Sequence, residues 1–317
     1  MKQNRREFIT TMAAAGATIP FTKFRLSETV NQPDKKFRVR LFSKPIDAFD
    51  FSFMCECLNR SGIEGFDLTV RPGGKVVPEK VEDDLPRLAA EAKKYKLVID
   101  MMVTSILSPD DPYAENILKT AASSGVTHYR LGWAAYNNEK GILGTLQEYK
   151  HALKGIAGLN KKYKIHGGYQ NHAGARIGGP VWDLYELLKD LPSENIGCQY
   201  DVRHAMVEGA NSWVLGMRLL APYIKTLAIK DFTWQTVKGK PVAVTVPLGE
   251  GMVDWDLYFK TVKELIISAP MTLHVEYPLF TKAEEKYPLG RKQDIIVAKF
   301  KKDMDFLNSY LSKYDLN

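Results

Sequence analysis

Residues 196–204 read Ile-Gly-Cys-Gln-Tyr-Asp-Val-Arg-His, a short apolar run that ends in a carboxylate, a guanidinium and an imidazole. Three other apolar runs end in groups able to bind a metal or move a proton: Tyr169-Gln170-Asn171-His172, Ile229-Lys230-Asp231 and Leu273-His274-Val275-Glu276. Because the carboxyl ends of parallel barrel strands converge on one rim, endings of this kind at βα-like intervals predict an active site there.

Eight strand-like runs alternate with segments of helical period from residue 37 onward. The runs are Arg38–Ser43, Gly65–Val70, Leu97–Val103, His128–Trp133, Lys164–Asn171, Ile196–Asp201, Ile224–Lys230 and Met271–Tyr277. Short buried runs between helices are typical of a parallel sheet. Eight such units predict an α/β protein, a (β/α)8 TIM barrel. A doubly wound open sheet is the competing fold, but Ser43-Lys44-Pro45 follows the first strand in place of a Gly-rich turn.

The amino terminus carries a second kind of information. Residues 4–10, Asn-Arg-Arg-Glu-Phe-Ile-Thr, resemble a twin-arginine export signal, and a mildly apolar stretch follows at Met12–Pro20. The alternative is a basic terminus beside an Ala-rich helix. We expect residues 1–30 to be an export signal and linker, residues 31–317 to form one barrel domain, and the exported protein to be periplasmic. The apolar stretch is too short for a permanent membrane span.

Composition and charge limit the choice of partner. Charged residues make up 26% of the chain and hydrophobic residues 45%, as in ordinary globular proteins. The formal net charge of +7 comes from scattered lysines and arginines rather than from one basic run. This pattern does not favour nucleic acid as a partner. The oligomeric state stays open.

Asp201 and Glu276 are the strongest pair of candidate site residues, since two carboxylates that end buried strands need a metal, hydrogen bonds or a counter-charge. Oxygen ligands suit Mg²⁺, Mn²⁺ or Ca²⁺, and an added imidazole such as His204 shifts the preference toward Mn²⁺, Co²⁺ or Zn²⁺. The alternative is that salt bridges to Arg203 and Lys230 hold both carboxylates inside the barrel mouth.

Further candidates come from the other strand ends. We predict that Gln170 and His172 hydrogen-bond a polyhydroxylated ligand and that Lys230 contacts a substrate oxygen. Asp231 is predicted to anchor Lys230 and to be one of the substrate-binding residues. An ion pair between Lys230 and Asp231 that closes the barrel is the alternative. Arg71, in the Arg-Pro-Gly-Gly-Lys loop after strand two, is a candidate clamp for a carboxylate or phosphate. A plain turn is the other interpretation.

Aromatic side chains fall at or just past several of these strand ends. Sugar rings stack on such faces, which favours a carbohydrate site. The residues are Trp133, Tyr136, Tyr169, Phe232 and Trp234. We include Trp133 among the predicted substrate-binding residues.

Several motifs together resemble the xylose isomerase-like TIM barrels, the sugar phosphate isomerase/epimerase group. They are Asp201-Val-Arg-His204, Ile229-Lys-Asp231, Val246-Pro-Leu-Gly-Glu-Gly251 followed by Val253-Asp-Trp255, and Val275-Glu276. The resemblance covers about residues 37–311 and implies one divalent metal, bound by Glu, Asp, His and Glu at strands five to eight. Asp201 and Glu276 match the second and fourth ligands.

The other two ligand positions depart from the family's pattern. Gln170 replaces the Glu of strand five, and Ala228 replaces the His of strand seven. The resemblance therefore implies a sparser metal shell of Asp201, Glu276, Gln170 and His204, with Mn, Mg, Co or Zn as the metal and a lowered affinity.

Two functions follow from these observations. The first is an exported enzyme that acts on a sugar or keto-sugar by abstracting a proton next to a carbonyl, with Glu276 or His204 as the base and Lys230 and any metal stabilising the enolate. Isomerisation or epimerisation is the expected reaction, and a keto-glycoside lyase or hydrolase is the alternative. The second is a non-catalytic carbohydrate-binding barrel with a decayed metal site.

Overall fold

The computed structural model describes residues 37–316. The amino-terminal export prediction lies outside these residues. The strands are β1 (Val39–Phe42), β2 (Gly65–Thr69), β3 (Val98–Val103), β4 (His128–Arg130), β5 (His166–Gln170), β6 (Ile196–Asp201), β7 (Ile224–Ile229), β8 (Asp231–Val237), β9 (Lys240–Val246) and β10 (Met271–Leu273). The α-helices are α1 (Phe51–Ser61), α2 (Val81–Lys94), α3 (Ala114–Ser123), α4 (Gly141–Tyr163), α5 (Val181–Leu188), α6 (Val202–Gly209), α7 (Trp213–Leu220), α8 (Trp255–Glu264) and α9 (Leu289–Lys313).

Eight of these strands close a barrel in the order β1-β10-β7-β6-β5-β4-β3-β2. Every neighbouring pair in the barrel is parallel. The carboxyl ends of the strands therefore lie at one mouth, and the predicted TIM barrel is confirmed.

Two strands end three or four residues earlier than the sequence predicts. β4 ends at Arg130 and β10 ends at Leu273, whereas the apolar runs continue to Trp133 and Tyr277. The amide of His274 still donates to Ile229 O at 2.9 Å. Beyond that bond the chain turns over the mouth, and this turn places Glu276 on the rim.

The helices cover the barrel with one apolar face each, as α8 illustrates. Asp254 caps its amino end, because the Asp254 carboxylate accepts a hydrogen bond from the Leu257 amide at 2.9 Å. Trp255, Phe259 and Val262 follow at helical spacing and are buried. In α9 the same period buries Ile296, Phe300, Met304, Leu307 and Leu311.

β8 and β9 form an antiparallel hairpin outside the barrel, with Asp231 opposite Val246. The Lys-Gly-Lys-Pro segment, residues 238–241, lies at its turn, where Lys238 and Gly239 have φ of 51° and 76°. The loop after β9 returns to the base of the hairpin. A Cβ at Gly251 would lie 2.1 Å from Asp231 Oδ1, so this close approach requires glycine.

None of the helices within residues 37–316 is long and apolar enough to cross a membrane.

Candidate active site

The predicted cluster gathers at the mouth of the barrel. Gln170 ends β5, Asp201 ends β6, Lys230 directly follows β7 and Glu276 lies three residues past β10. Parallel strands bring these ends together although the residues are far apart in the chain.

Lys230 lies at the centre of this cluster. Its Nζ is 3.1 Å from Asp201 Oδ2 and 2.9 Å from Glu276 Oε2. Asp201 is fully buried, the Lys230 side chain is 4% exposed and that of Glu276 is 26% exposed. Of the two interpretations of the carboxylates, the structure shows salt bridges to Lys230. Arg203 does not take part in these salt bridges and donates instead to Ala243 O at 2.7 Å.

Asp201 is held by both its backbone and its side chain. It caps α6, because Oδ1 accepts a hydrogen bond from the His204 amide at 3.1 Å. Asn171 fixes the strand end by donating to Asp201 O at 2.9 Å and accepting from Asp201 N at 2.8 Å. These bonds leave Oδ2 directed at Lys230 and Gln170.

Gln170 connects Asp201 to a buried arginine. Gln170 Nε2 donates to Asp201 Oδ2 at 2.7 Å, and Gln170 Oε1 accepts from Arg130 at 2.9 Å. If the Gln170 amide were turned round, its oxygen would face the Asp201 carboxylate and its N–H group would face the Arg130 guanidinium. The hydrogen-bond network therefore fixes the observed amide orientation. A hydrogen-bonded chain therefore runs from Arg130 through Gln170, Asp201 and Lys230 to Glu276.

Glu276 is ionised in this arrangement. Burial by itself would raise the pKa of Glu276, but the Lys230 ammonium and the neighbouring His274 ring together outweigh burial and hold that pKa well below its usual range. At the rim, Lys44 adds a weaker ion pair, with its Nζ 3.7 Å from Glu276 Oε1. The carboxylate therefore carries no proton, as a general base requires, but its contact with Lys230 makes it a weaker base than a free glutamate.

His204 presents a donor to the mouth. Its Nδ1 faces the Arg203 guanidinium at 2.8 Å and accepts from the Ala173 amide at 3.2 Å. A neutral imidazole carries one N–H, which must then lie on Nε2. Nε2 is buried without a partner among the described residues and lies 3.8 Å from Asp201 Oδ2. Burial and the nearby Lys230 lower the pKa of His204 well below its usual value, so the structure favours a hydrogen-bond donor over a base.

A row of rings forms one wall of the mouth. The His172 ring centroid lies 3.9 Å from that of His204 and 4.5 Å from that of Trp133. Burial lowers the pKa of His172 to about 4, which keeps its ring neutral near pH 7. The wall offers flat, uncharged surfaces of the kind that sugar rings contact.

Near these rings lie Phe42 and Arg130, which the sequence analysis did not select, together with Arg71, which it did. Phe42 ends β1 and stacks on His274 with ring centroids 4.5 Å apart. The guanidiniums of Arg71 and Arg130 each lie 5.8 Å from the Phe42 centroid. Arg130 was missed although a visible feature marked it, since a basic residue ends a buried strand there just as Asp201 does.

Asp231 does not join the cluster. Its Oδ1 accepts from the amides of Phe232 and Val253, and its Oδ2 accepts from the amides of Gly249 and Gly251 and from the Trp255 indole, all between 2.8 and 3.2 Å. With five donors and no exposure, this carboxylate anchors the loop and is not available to a ligand.

Most of the other predicted aromatic residues also lie away from the mouth. Tyr169 is buried and bonds Ala134 N and Ile177 O, while the Tyr136 hydroxyl contacts Asp183. Phe232 is buried, and Trp234 is 45% exposed on the hairpin. The clustering seen in the sequence therefore reflects loop packing except at Trp133.

The implied divalent metal does not fit this donor set as it is arranged. Lys230 lies between the two carboxylates, and Gln170 turns its amide nitrogen toward Asp201. The proton on His204 Nε2 leaves that nitrogen without a lone pair for a metal. Ala228, which pairs with Asp201 in the barrel register, has no donor atom. Among residues 37–316, no three His, Cys, Asp or Glu side chains are grouped to hold a metal ion. Metal binding stays a prediction.

A cavity of about 380 Å³ opens beside Glu276. Lys44 and Glu285 contribute its charges together with Glu276, and its remaining lining is mainly apolar: Pro45, Val275, Tyr277, Pro278, Leu279 and Phe280. Its volume is in the range of small-molecule sites.

A parallel eight-stranded barrel with a polar mouth of this kind defines a class of small-molecule enzyme folds. The chain belongs to the xylose isomerase-like TIM barrel family, whose model matches residues 56–307. Comparison with curated protein sequences gives no match.

Solved structures with the same fold include sugar epimerases and a dehydratase. D-psicose 3-epimerase with D-tagatose from Clostridium cellulolyticum H10 is 10% identical, with a TM-score of 0.65 over 86% of this chain and 99% of that one. The probable 3-DHS dehydratase AsbF from Bacillus anthracis is 17% identical, with a TM-score of 0.61 over 84% of this chain and 97% of that one. The IOLI protein with a bound zinc atom is 14% identical, with a TM-score of 0.66 over 87% of this chain and 99% of that one. At these identities the likeness concerns the fold.

Proposed function

We propose that this protein is a carbohydrate-modifying enzyme that removes a proton next to the carbonyl of a sugar or keto-sugar. The observation that supports it is the Lys230 ammonium held 2.9 Å from the Glu276 carboxylate at the barrel mouth. A cation beside a carboxylate is what enolisation needs, because one group accepts the proton while the other stabilises the oxygen that gains charge.

The steps follow from the positions of these groups. Glu276 accepts the proton from the carbon next to the carbonyl, and the electron pair moves to the carbonyl oxygen, which Lys230 stabilises. Return of a proton to carbon gives an isomer or epimer. Loss of a leaving group from the adjacent carbon gives elimination instead, the outcome expected of a keto-glycoside lyase. His204 Nε2 supplies a further hydrogen bond to the substrate.

Solvent deuterium exchange tests the shared first step. The protein is incubated in D₂O with D-fructose, D-tagatose or D-psicose, and the loss of the proton next to the carbonyl is followed by NMR. We expect Glu276→Gln to slow the exchange by about 10²–10⁴-fold, the usual contribution of a general base. Lys230→Met should cost about 10²–10³-fold, as for a lost electrostatic stabiliser.

Arg87→Gln serves as the control, because Arg87 is 62% exposed and pairs with Asp84 on the same helix, α2. Exchange that continues unchanged in Glu276→Gln would remove Glu276 from the mechanism. Sugar binding without exchange in the unaltered protein would favour a carbohydrate-binding barrel.

The cellular location belongs to the same proposal. The twin-arginine-like segment at residues 4–10 supports export, so the enzyme would act on sugars in the periplasm.

A further inference from the structure

Three guanidinium groups gather around two aromatic rings of the mouth. Arg71 and Arg130 lie 5.8 Å from the centroid of Phe42. Arg130 also lies 4.3 Å from the Trp133 ring, and Arg176 lies 5.2 Å from it. The three arginines come from different loops and strand ends, so the barrel fold brings them together.

None of these three arginines pairs with a carboxylate of the described residues within 4.0 Å. Arg130 is only 3% exposed. It donates one side-chain hydrogen bond within the site, to the neutral amide oxygen of Gln170, and its Nε is buried without a partner. A buried charge without a counter-charge is costly, and proteins rarely keep one without a reason.

The nearest carboxylates are engaged elsewhere. Asp201 and Glu276 share Lys230. Burial raises the pKa of Asp67 to about 7, so that group is only partly ionised near neutral pH. Burial and the adjacent Arg71 guanidinium lower the pKa of Arg130 to about 10, which shows how poorly its charge is compensated.

The indole nitrogen of Trp133 adds a second donor of the same kind. Its Nε1 is buried with no partner among the described residues. A donor and a guanidinium left unsatisfied side by side, at an opening lined by flat rings, mark the place where a ligand supplies acceptor oxygens.

We propose that the substrate is anionic: a small polyhydroxylated molecule whose carboxylate or phosphate is bound by Arg71, Arg130 and Arg176. Its reacting part lies against Lys230 and Glu276, which makes this inference rest on the proposed function. The planar guanidinium fork matches two oxygens of a carboxylate or phosphate, and each such charge-assisted bond is stronger than a neutral one.

Binding measurements with matched sugars test the proposal. The carboxylate probes are D-glucuronate, D-galacturonate and D-gluconate, the phosphate probes are D-glucose 6-phosphate and D-fructose 6-phosphate, and the neutral probes are D-glucose, D-galactose and D-fructose. Affinity is measured by calorimetric titration at constant ionic strength. We expect the anionic probes to bind more tightly than their neutral counterparts, and the preferred group of probes identifies carboxylate or phosphate as the anion.

Variants at the exposed edge of the cluster avoid the risk of unfolding. Arg71 and Arg176 are only partly buried, so Arg71→Gln and Arg176→Gln should fold and should each weaken anionic binding about tenfold. Arg87→Gln should bind like the unaltered protein. Equal affinity for anionic and neutral probes, absence of binding by any anionic probe, or full anionic affinity in Arg71→Gln would each overturn the proposal.

The same titrations separate this inference from the proposed chemistry. Glu276→Gln should still bind the anionic probes, because it retains all three guanidiniums. Anion binding without deuterium exchange would count against the proton abstraction only. Exchange on a neutral ketose without any preference for anions would count against the anion site only.

Discussion

Lys230 is the residue on which the chemistry of the mouth depends. Its ammonium contacts Asp201 and Glu276, the two residues that match metal ligands of the family's pattern. A lysine there supplies one positive charge without the open coordination positions of a metal. The departures at Gln170 and Ala228 agree with this arrangement, because neither residue offers an additional anionic or imidazole ligand.

Replacing Lys230 should expose a latent metal site. In Lys230→Met the two carboxylates lose their shared cation, and the loss of a buried ion-pair partner should cost about 3 kcal/mol of unfolding free energy. We expect the variant to bind Mn²⁺ more tightly than the unaltered protein in calorimetric titration, and Mn²⁺ to restore part of the lost stability. Adding Ala228→His should strengthen that binding further.

Lys263→Met is the matched control, since Lys263 is 50% exposed on α8 and pairs with Asp315. If the unaltered protein already binds one equivalent of Mn²⁺ as tightly as Lys230→Met, then Lys230 does not stand in for a cation and the implied metal belongs to the native site.

At the scale of elements, the loop from residue 247 to residue 254 depends on Asp231. One carboxylate at the base of the hairpin accepts hydrogen bonds from three loop amides, from the Phe232 amide and from an indole N–H. Gly251 allows the loop to approach that carboxylate. The Pro-Leu-Gly-Glu-Gly motif is thus a structural feature that holds the segment between β9 and α8.

Asp231→Asn should destabilise this loop and the fold around it. The amide retains one acceptor oxygen and places an NH₂ group against N–H donors, so we expect a loss of about 3 kcal/mol in unfolding free energy, measured by urea denaturation. Asp254→Asn is the comparison, because Asn is as good as Asp at a helix N-cap. Similar small losses in both variants would contradict an anchoring role for Asp231.

For the whole molecule, stability should depend on pH through the barrel interior. Asp67 is fully buried, accepts a hydrogen bond from Thr272 across the barrel at 2.8 Å, and has its pKa raised by burial to about 7. An unfolded Asp titrates near pH 4. Between these values the folded state holds the extra proton, so its stability should fall as pH rises from about 4 to about 7.

Asp67→Asn tests this dependence. The amide keeps the shape of the side chain but cannot ionise, so the variant should lose less stability than the unaltered protein when urea unfolding is compared at pH 5 and pH 7.5. The difference should reach a few kcal/mol at most, since each unit of pKa shift corresponds to about 1.4 kcal/mol. Parallel pH profiles for the two proteins would show that Asp67 does not carry the effect.

The sequence predicted which strand ends contribute most of the side chains that lie together at the mouth. Buried runs ending in Gln170, Asp201, Lys230 and Glu276 converge as their strand positions predict. Arg130 was not selected because a single basic residue in a buried strand usually belongs to an ion pair. Within the described part of the chain, however, it donates to the neutral amide of Gln170 and to no carboxylate. Asp231 was assigned to the substrate-binding residues because it directly follows Lys230. Proximity in sequence, however, does not show where a carboxylate points.

The sequence by itself determined the barrel, because apolar runs of strand length and helices of period 3.6 are local patterns that can be recognised in a single sequence. Only the tertiary structure decided the partners. Lys230 meets Glu276 across 46 residues and Gln170 meets Asp201 across 31, and closure of the barrel sets which atoms of these side chains face each other. The charge balance of the mouth therefore exists only in the folded protein, where Lys230 lies between two carboxylates and three arginines have no carboxylate partner among residues 37–316.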